Sequence, residues 1–338
     1  MNDYDALVIA KPTQRFSEKD KFVIDQFIMN GGRVMWFVDP MNPNLDSLYS
    51  TGITYSLPYD LNIEKDMLYK YGVRLNSNIL LDENCAPLYI PPLNGTFPWY
   101  LSPKLLPQDH VITANLDPVR GNYTSSADPV NESDTAVTKT VLLRTSPNSI
   151  FYKSPARMSF ELVVEGFKPN FNNPKLGDFP VAVLLEGTFK SAFENRINDA
   201  FLNSPDFETK FTSQYNRMLV VSDGDVIQNM VDVQGAGEEM KPYPLKLDYE
   251  YFVPDPSRDR PMKLYSNLDF ILNTMDYMLE DNSLLDLRSK SISFRMLDRD
   301  KIAENRSFWT FINIFIPILL IGLLALIQLI RRRQKFAR

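Results

Sequence analysis

The sequence predicts an α/β domain, built on a mostly parallel sheet with flanking helices, followed by a C-terminal transmembrane helix. A strand–helix–strand pattern occupies residues 6–38, further apolar runs of strand length follow, and an uncharged run of 23 residues lies near the end of the chain. Two strands that are joined through a helix form a parallel pair, because the crossover returns the chain to the same end of the sheet.

The first unit has clear start and stop signals. The apolar run Ala6–Ala10 is typical of a fully buried strand. Ser17 then stands at a helix N-cap, and the glycines at 31–32 supply the left-handed conformations that end a helix. A second buried strand follows at Arg33–Val38. We expect the crossover between the two strands to be right-handed.

Later segments continue the pattern. A helix is predicted near Asn62–Tyr71 and a strand at Asn78–Leu81. The β-branched content of three further apolar runs is typical of central strands. These runs are Ala136–Leu143, Pro180–Leu185 and Met218–Val221.

Asn267–Asp281 has the clearest helical periodicity before the final apolar run, with an apolar stripe predicted along one face. Extended segments are predicted after it, at Leu284–Asp286 and Ile292–Leu297. The stripe consists of Leu268, Ile271, Leu272, Met275, Met278 and Leu279.

Three segments are predicted to be irregular. Proline-rich residues 86–108 indicate an irregular surface excursion, and polar residues 121–135 indicate a flexible loop. Ser191–Lys210 is interpreted as a mobile lobe or a loop segment.

The uncharged run Phe308–Ile330 predicts a membrane span. A helix of 23 residues is about 34 Å long, and the apolar core of a bilayer is about 30 Å thick. The tail at 331–338 carries five basic residues and no acid. Because basic residues stay on the cytoplasmic side, the tail is predicted to lie inside and everything before Phe308 outside, away from the cytoplasm.

This topology divides the chain into four predicted parts. They are a periplasmic α/β domain at 1–297, a juxtamembrane stalk at 298–307, the transmembrane helix at 308–330 and the cytoplasmic basic tail at 331–338. The rival interpretation is a tail-anchored protein with a cytoplasmic domain, which places the five positive charges on the unfavourable side.

Composition restricts the function. The net charge is −6, and because the tail contributes +5, residues 1–330 carry −11. This acidity argues against a nucleic-acid partner, which needs a basic surface. A single cysteine allows no intramolecular disulfide, as is ordinary for a large bacterial periplasmic domain.

The N-terminal residues do not form a signal peptide, since MNDYDALVIA has neither a basic segment nor a long apolar segment. A domain of about 300 residues needs an export signal. We therefore expect the chain to be a fragment, with an export or membrane segment upstream of Met1.

The best pocket candidate follows an apolar run. Ser222, Asp223 and Asp225 come directly after Met218–Val221, and the carboxyl ends of parallel strands are where α/β folds bind ligands. Two carboxylates flanking a glycine are able to bind Ca²⁺ or Mg²⁺, although the ligands of an EF-hand loop are absent. A turn capped by aspartate is the favoured interpretation, so no metal or cofactor is predicted.

Cys85 and His110 are the only cysteine and histidine, and therefore the only nucleophile–base pair of that type. Pro87 follows Cys85, where an amidotransferase would have a glycine-flanked turn into a helix. An incidental thiol and a loop imidazole are favoured, and catalytic residues are predicted to be absent. The sequence also has no Gly-x-x-x-x-Gly-Lys-Ser/Thr loop, so any ATPase must be another subunit.

Four residues interrupt the apolar character of the span. Polar side chains in lipid tend to face another helix. Contact with a permease helix and a simple anchor therefore both remain open. The four residues are Asn313, Pro317, Gly322 and Gln328.

Three blocks together resemble the gliding-motility-associated GldG proteins of Bacteroidota. The blocks are KPTQRFSEKDKFVIDQFIMNGGRVMWFVDP, RMLVVSDGDVIQN and NLDFILNTMDYMLEDNSLLDLRSKSISFRMLDRDKIAENRSFWTFINIFIPILL. The resemblance implies a membrane-anchored accessory subunit that works with an ABC-type permease and ATPase in a bacterial inner membrane, with the bulk of the chain periplasmic. It also implies a glutamine-amidotransferase-like α/β domain and an N-terminal membrane segment, which this chain lacks.

The sequence thus predicts a non-enzymatic, membrane-anchored accessory subunit of an ABC-type transporter complex associated with gliding motility. Its periplasmic domain would serve as an interaction or coupling module, with the permease, the ATPase and the bilayer as partners. The alternative is a periplasmic ligand-binding component of the transporter.

Overall fold

The computed structural model describes residues 3–130, 136–164, 168–171, 177–194, 196, 209–234, 241–253, 261–279 and 306–336. The chain divides into two compact units, Met1–Lys290 and Ser291–Arg338. The first unit contains all the described strands, and the described part of the second, residues 306–336, is one long helix.

Strands dominate the first unit. They are β1 (Ala6–Ala10), β2 (Arg33–Phe37), β3 (Met41–Asn42), β4 (Ile53–Pro58), β5 (Val73–Leu75), β6 (Asn78–Asp82), β7 (Cys85–Ile90), β8 (Gly95–Pro107), β9 (Val119–Arg120), β10 (Ala127–Pro129), β11 (Val137–Arg144), β12 (Ser149–Lys153), β13 (Ala156–Ser159), β14 (Pro180–Lys190), β15 (Thr212–Val221), β16 (Val231–Gln234), β17 (Lys241–Pro244), β18 (Tyr249–Glu250) and β19 (Met262–Lys263). The helices are α1 (Glu18–Met29), α2 (Leu45–Thr51), a π-helical turn Glu64–Leu68 continued by α3 (Tyr69–Tyr71), and α4 (Asn267–Met278).

The central sheet has eight strands in the order β1-β2-β15-β14-β11-β8-β7, with β9 paired to β8. Only the β1–β2 and β2–β15 pairs are parallel. The pairs from β15 through β14, β11 and β8 to β7 are antiparallel, as is β8–β9. The predicted fold class, a mostly parallel sheet with flanking helices, is therefore wrong. The structure is mostly β-strand, with a mixed sheet and few helices.

The error has a physical cause. A continuous apolar run shows that a strand is buried on both faces, but it carries no information about the direction of its neighbours. The apolar runs at 181–185 of β14 and 218–221 of β15 are buried in this way, whereas β11 is buried only at Val137, Leu142 and Leu143. All three predicted runs are strands, yet the β14–β15 and β11–β14 pairs are antiparallel.

The predicted strand–helix–strand unit at residues 6–38 is confirmed as β1, α1 and β2. Strand β1 pairs in parallel with β2, from Ala6 opposite Arg33 onward. The Ser17 hydroxyl accepts a hydrogen bond from the Asp20 amide at 3.2 Å and caps α1. Gly31 follows the helix with φ of +95°.

Two segments predicted to be irregular are ordered. Residues 86–108 fall largely in the β7–β8 hairpin, in which Pro87 lies opposite Pro98. Proline lacks an amide donor, and β7 tolerates it because it is an edge strand. Residues 121–126 are mostly buried, and β10 pairs with β5. Residues 131–135 and most of Ser191–Lys210 lie outside the described residues.

Apolar side chains cover both faces of the sheet. Trp36 and Val220 point into a cluster that includes Phe27 of α1. Phe37 and Leu219 point into a second cluster, which includes Phe270 of α4. Alternate side chains of β2 and β15 thus pack into the two clusters on opposite faces of the sheet, because successive side chains of a strand point to opposite faces.

The predicted helix at 267–281 is confirmed over Asn267–Met278, but its predicted stripe is only partly the buried face. Leu268 and Leu272 are 45% and 42% exposed. Asn267 and Asn273 are buried instead, because their amides bond to backbone groups of Arg120, Val226 and Ile112. Polar residues that are satisfied in this way do not register in an apolar periodicity.

The second unit contains α5 (Arg306–Phe336). Its stretch Phe311–Lys335, 25 residues, is long and apolar enough to cross a membrane. The predicted extended segments at 284–286 and 292–297, and the stalk at 298–305, lie outside the described residues.

A substitution at Gly187 of β14 tests the close antiparallel pairing of β14 with β11, in which Gly187 lies opposite Val137. The φ of Gly187 is +147°, and a Cβ atom there would lie 2.0 Å from the carbonyl oxygen of Ala136. We expect Gly187→Ala to lower the free energy of unfolding by about 3 kcal/mol, since backbone of this kind is almost exclusive to glycine. Chemical denaturation of the purified chain measures the loss.

Thr188→Ala, at the exposed neighbouring position, is the matched control and is expected to cost less than about 1 kcal/mol. Equal losses for the two variants would contradict the described backbone at Gly187.

Candidate functional site

The candidate site lies where the three mutually parallel strands end. Strands β1, β2 and β15 point the same way, so their carboxyl ends meet at one edge of the sheet. Lys11 directly follows β1, Asp39 follows β2 by two residues, and Asp223 follows β15 by two residues. Open sheets commonly bind ligands at such an edge.

Asp223 is the buried centre of this group, with no exposed surface. Its Oδ2 accepts hydrogen bonds from the Asn122 amide at 2.8 Å and from the Thr124 hydroxyl. Its Oδ1 accepts from the Asp225 amide at 2.8 Å and caps a 3₁₀ turn at Gly224–Ile227. The carboxyl group therefore ties the 121–126 loop to the end of β15.

Lys11 joins the other two carboxylates. Its Nζ donates to Asp225 Oδ1 and lies 3.7 Å from Asp39 Oδ2. Asp39 Oδ1 also accepts the Gly224 amide at 2.6 Å. A Cβ atom on Gly224 would lie 2.8 Å from Lys11 Cγ and 3.0 Å from Asp39 Oδ2. Glycine is needed here so that the turn can approach the ion pair.

Burial controls the proton affinity of these groups. Burial, and then the charge of Asp225, raise the pKa of Asp223 to about 8. The same two causes raise the pKa of Asp39 to about 6. Burial opposes the charge on Lys11, but the neighbouring Asp225 and Asp39 carboxylates outweigh it and raise the Lys11 pKa. Burial therefore favours the protonated form of Asp223.

Three carboxyl groups of this cluster lie close enough together to be considered as ligands of one metal ion. One oxygen from each of Asp39, Asp223 and Asp225 lies within 4.8 Å of the others. However, the Lys11 ammonium already binds Asp225, and burial favours the protonated form of Asp223. A divalent cation would have to displace both, so the group fits an internal ion-pair cluster better than a metal site.

A pocket of about 450 Å³ opens beside this cluster, and we call it the strand-end pocket. Leu45, Met230, Val231 and Leu247 supply its apolar wall. Its charged and amide wall is formed by Lys11, Arg120, Asn122, Asp225, Gln228, Asn229, Lys246 and Asn267.

Of the three site residues predicted from the sequence, Ser222, Asp223 and Asp225, one lines the strand-end pocket. Ser222 is fully buried, and its hydroxyl lies 2.7 Å from the carbonyl oxygen of Ser125, to which it donates, so it has a structural role. Asp223 supports the turn, and only Asp225 reaches the strand-end pocket. Their proposed role in ligand binding stays a prediction.

Sequence reasoning missed Lys11, Asp39 and Arg120. A signal for the first two was present, since each closely follows a predicted strand of one βαβ unit, and parallel strands bring their carboxyl ends together. No sequence pattern pointed to Arg120, because it reaches the site from the short strand β9, which pairs with β8.

Cys85 and His110 lie in unrelated surroundings among the described residues. Burial raises the pKa of the Cys85 thiol to about 12. The Nδ1 atom of His110 accepts the Ile112 amide at 3.2 Å, and its ring packs edge-on against Tyr277 at 5.2 Å. In the described part of the chain, Cys85 and His110 form no hydrogen bond with each other, and the amidotransferase interpretation requires one.

Comparison with known proteins adds three similarities. Residues 1–274 match the model of a family described as an ABC-type uncharacterized transport system. A protein of Borreliella burgdorferi, named only as uncharacterized, is 25% identical over 179 residues, or 51% of this chain. The match spans 34% of that relative's length.

A solved structure titled mmIFT52 N-terminal domain aligns with a TM-score of 0.38 and 9% identity, covering 82% of this chain and 77% of that one. Similarity at this level supports no argument about fold or function.

The raised pKa of Asp223 predicts a pH effect with a defined sign. A carboxyl group that holds its proton more tightly when folded stabilises the fold at low pH, and this contribution is lost as pH rises from 3.8 to about 8. The stability of the wild type relative to Asp223→Asn should therefore fall across this range and level off above it. Thermal unfolding of both proteins between pH 4 and about 9 measures the difference.

The subtraction removes the opposing effect of His110, whose pKa is lowered by burial. Exposed Asp46→Asn is the matched control. A relative stability of Asp223→Asn that does not change with pH would show that Asp223 is ionised in the folded protein.

Proposed function

The chain belongs to the family of ABC-type uncharacterized transport systems, and on this premise we propose that it is a membrane-anchored accessory subunit of an ABC-type transporter. It supplies no nucleotide loop of its own, so ATP hydrolysis falls to a separate ATPase subunit. A permease in the inner membrane is the proposed partner of its helix.

The observation that carries the proposal is the pairing of a large β-rich unit with one apolar helix. The first unit matches the family almost to its end, and α5 is long and apolar enough to span a bilayer. Basic residues follow the apolar stretch, which favours a cytoplasmic tail and a periplasmic domain. The domain would then couple the transporter to other parts of the envelope.

The finer assignment rests on the three sequence blocks that resemble GldG proteins. We propose on that basis that the complex takes part in gliding motility in Bacteroidota. The proposed chemistry of the subunit is interaction rather than catalysis, because Cys85 is buried and His110 is engaged elsewhere.

The helix itself suggests a contact face. At 100° per residue, Asn313, Pro317 and Gln328 fall within about 60° of one another around α5. Gly322 falls on the opposite side. We propose that the first three face the permease, since polar groups in lipid are most stable against another helix.

Purification of the intact protein in detergent tests this assembly. A permease and an ATPase should co-purify with the wild type. The double variant Asn313→Leu, Gln328→Leu should recover several-fold less of both, because it removes the polar groups from the contact face. Quantitative mass spectrometry of the eluate measures the recovery.

Leu326→Ile, on the other side of the helix, is the matched control and should recover both partners normally. Recovery of neither partner by the wild type would refute the accessory role. Equal recovery by the double variant would refute only the contact face.

The orientation is tested with thiol labelling, for which the buried Cys85 gives a low background. Ser50→Cys is exposed in the first unit, and Gln334→Cys lies at the basic end of α5. A membrane-impermeant maleimide should label Ser50→Cys in intact spheroplasts and Gln334→Cys only after lysis. The reverse pattern would support a cytoplasmic domain.

A second candidate function is binding of a transported or signalling solute in the periplasm. The observation that favours it is the strand-end pocket of about 450 Å³, which lies in the size range of small-molecule sites.

A further inference from the structure

We propose that the strand-end pocket binds a small soluble anion, bearing a carboxylate or phosphate group, through Arg120 and Lys246. The inference deepens the second candidate function and does not depend on the accessory role. It rests on the placement of charge around the pocket.

The Arg120 side chain is held by two aromatic rings and lacks a carboxylate partner among the described residues. Its guanidinium carbon lies 5.9 Å from the ring centre of Phe252 and 5.7 Å from that of Tyr265. Asn267 fixes its backbone, accepting the Arg120 amide at 2.8 Å and donating to its carbonyl at 2.9 Å. Aromatic contacts of this kind orient a guanidinium while leaving its N–H groups available.

The neighbours of Arg120 are themselves held in place. Tyr265 is fully buried, and its hydroxyl donates to Glu250 at 2.6 Å. Glu250 is also buried and accepts the Phe252 amide at 2.7 Å. Both acceptor oxygens of Glu250 are thus engaged within the wall. The aromatic support of Arg120 therefore belongs to the packed interior, and the cation projects from a rigid base.

Lys246 is the second available cation. It is exposed, and its Nζ lies 5.2 Å from the ring centre of Tyr249. No carboxylate pairs with it in the part of the chain that the structure describes. Lys11, the third cation of the pocket, is already bound to Asp225, the only acid on the described wall.

The balance of charge selects the ligand class. The described wall carries three cations and one acid, whereas residues 1–330 as a whole carry −11. Cations without partners in a concave site attract anions, and the low-dielectric walls strengthen that attraction. Arginine pairs with carboxylate and phosphate oxygens through two parallel hydrogen bonds. Asn122 and Gln228 add amide groups that are able to donate to further oxygens.

Calorimetric titration of the full chain in a neutral detergent tests the proposal, with citrate and pyrophosphate as anionic probes and glucose as the neutral probe. At least one anion should bind, and raising the sodium chloride concentration should weaken its binding. Arg120→Gln should weaken binding by about tenfold or more, since it removes a charged hydrogen-bond donor. Exposed Lys246→Gln should weaken it by about threefold.

Lys153→Gln is the matched control, because Lys153 also lies over an aromatic ring, 6.0 Å from the centre of Phe151, but outside the strand-end pocket. It should change the affinity by less than about twofold. If Arg120→Gln fails to fold, Lys246→Gln decides the question alone, since its side chain is exposed.

Three results would overturn the proposal: no binding of either anion at millimolar concentration, equal affinity for glucose, or unchanged affinity in the pocket variants. Phosphatidylglycerol vesicles form a separate arm, and binding to them without any response to the free anions would also overturn it. Because the titration needs no transporter partner, its failure would leave the accessory role standing.

Discussion

The structure depends on the mutual compensation of four ionisable side chains at the end of the sheet. Unpaired, each would cost several kcal/mol to bury. Lys11 offsets the charges of Asp39 and Asp225, and the raised pKa of Asp223 lowers the cost of burying that carboxyl group, because it favours the neutral form. Lys11 follows β1, Asp39 follows β2, and Asp223 and Asp225 follow β15. The cluster therefore fastens β1, β2 and β15 together at the point where their backbone hydrogen bonds end.

The same cluster organises the loops around it. Asp223 receives donors from Asn122 and Thr124, which draws the 121–126 loop under the end of β15. Gly121 makes this approach possible, because a Cβ atom there would lie 2.5 Å from Thr124 Oγ1 and 2.8 Å from Asp223 Oδ2. Arg120 directly precedes this glycine, so the close approach of the loop to Asp223 also sets the position of the cation in the pocket wall.

Local patterns predicted local structure well, and long-range pairing poorly. The β1–α1–β2 unit was predictable because its capping serine, terminal glycines and apolar strands lie within about 30 residues. The direction of β14 relative to β11 depends on partners far apart in sequence, such as Val137 opposite Gly187, and burial gives no sign of it. The prolines at 87 and 98 led to the prediction of an irregular loop, but they lie opposite each other in the paired strands of the β7–β8 hairpin. At the site, Asp223 and Asp225 were found because they follow a strand, but Arg120 enters through tertiary structure alone.

The mixed sheet explains why the candidate site is small and lies to one side. In a fully parallel sheet every strand would contribute a carboxyl end to one edge, giving a long crevice. Here β14 runs against β15, so the edge that carries Lys11, Asp39 and Asp223 meets the amino-terminal end of β14. Only three adjacent strands, β1, β2 and β15, therefore contribute neighbouring carboxyl ends, because β14 interrupts the row, and the walls must come from elsewhere. The β9 loop and the segment after β15 supply them, and they bring Arg120 and the amide side chains with them. The arrangement that contradicts the predicted fold class is thus the one that limits the pocket to the size of a small solute.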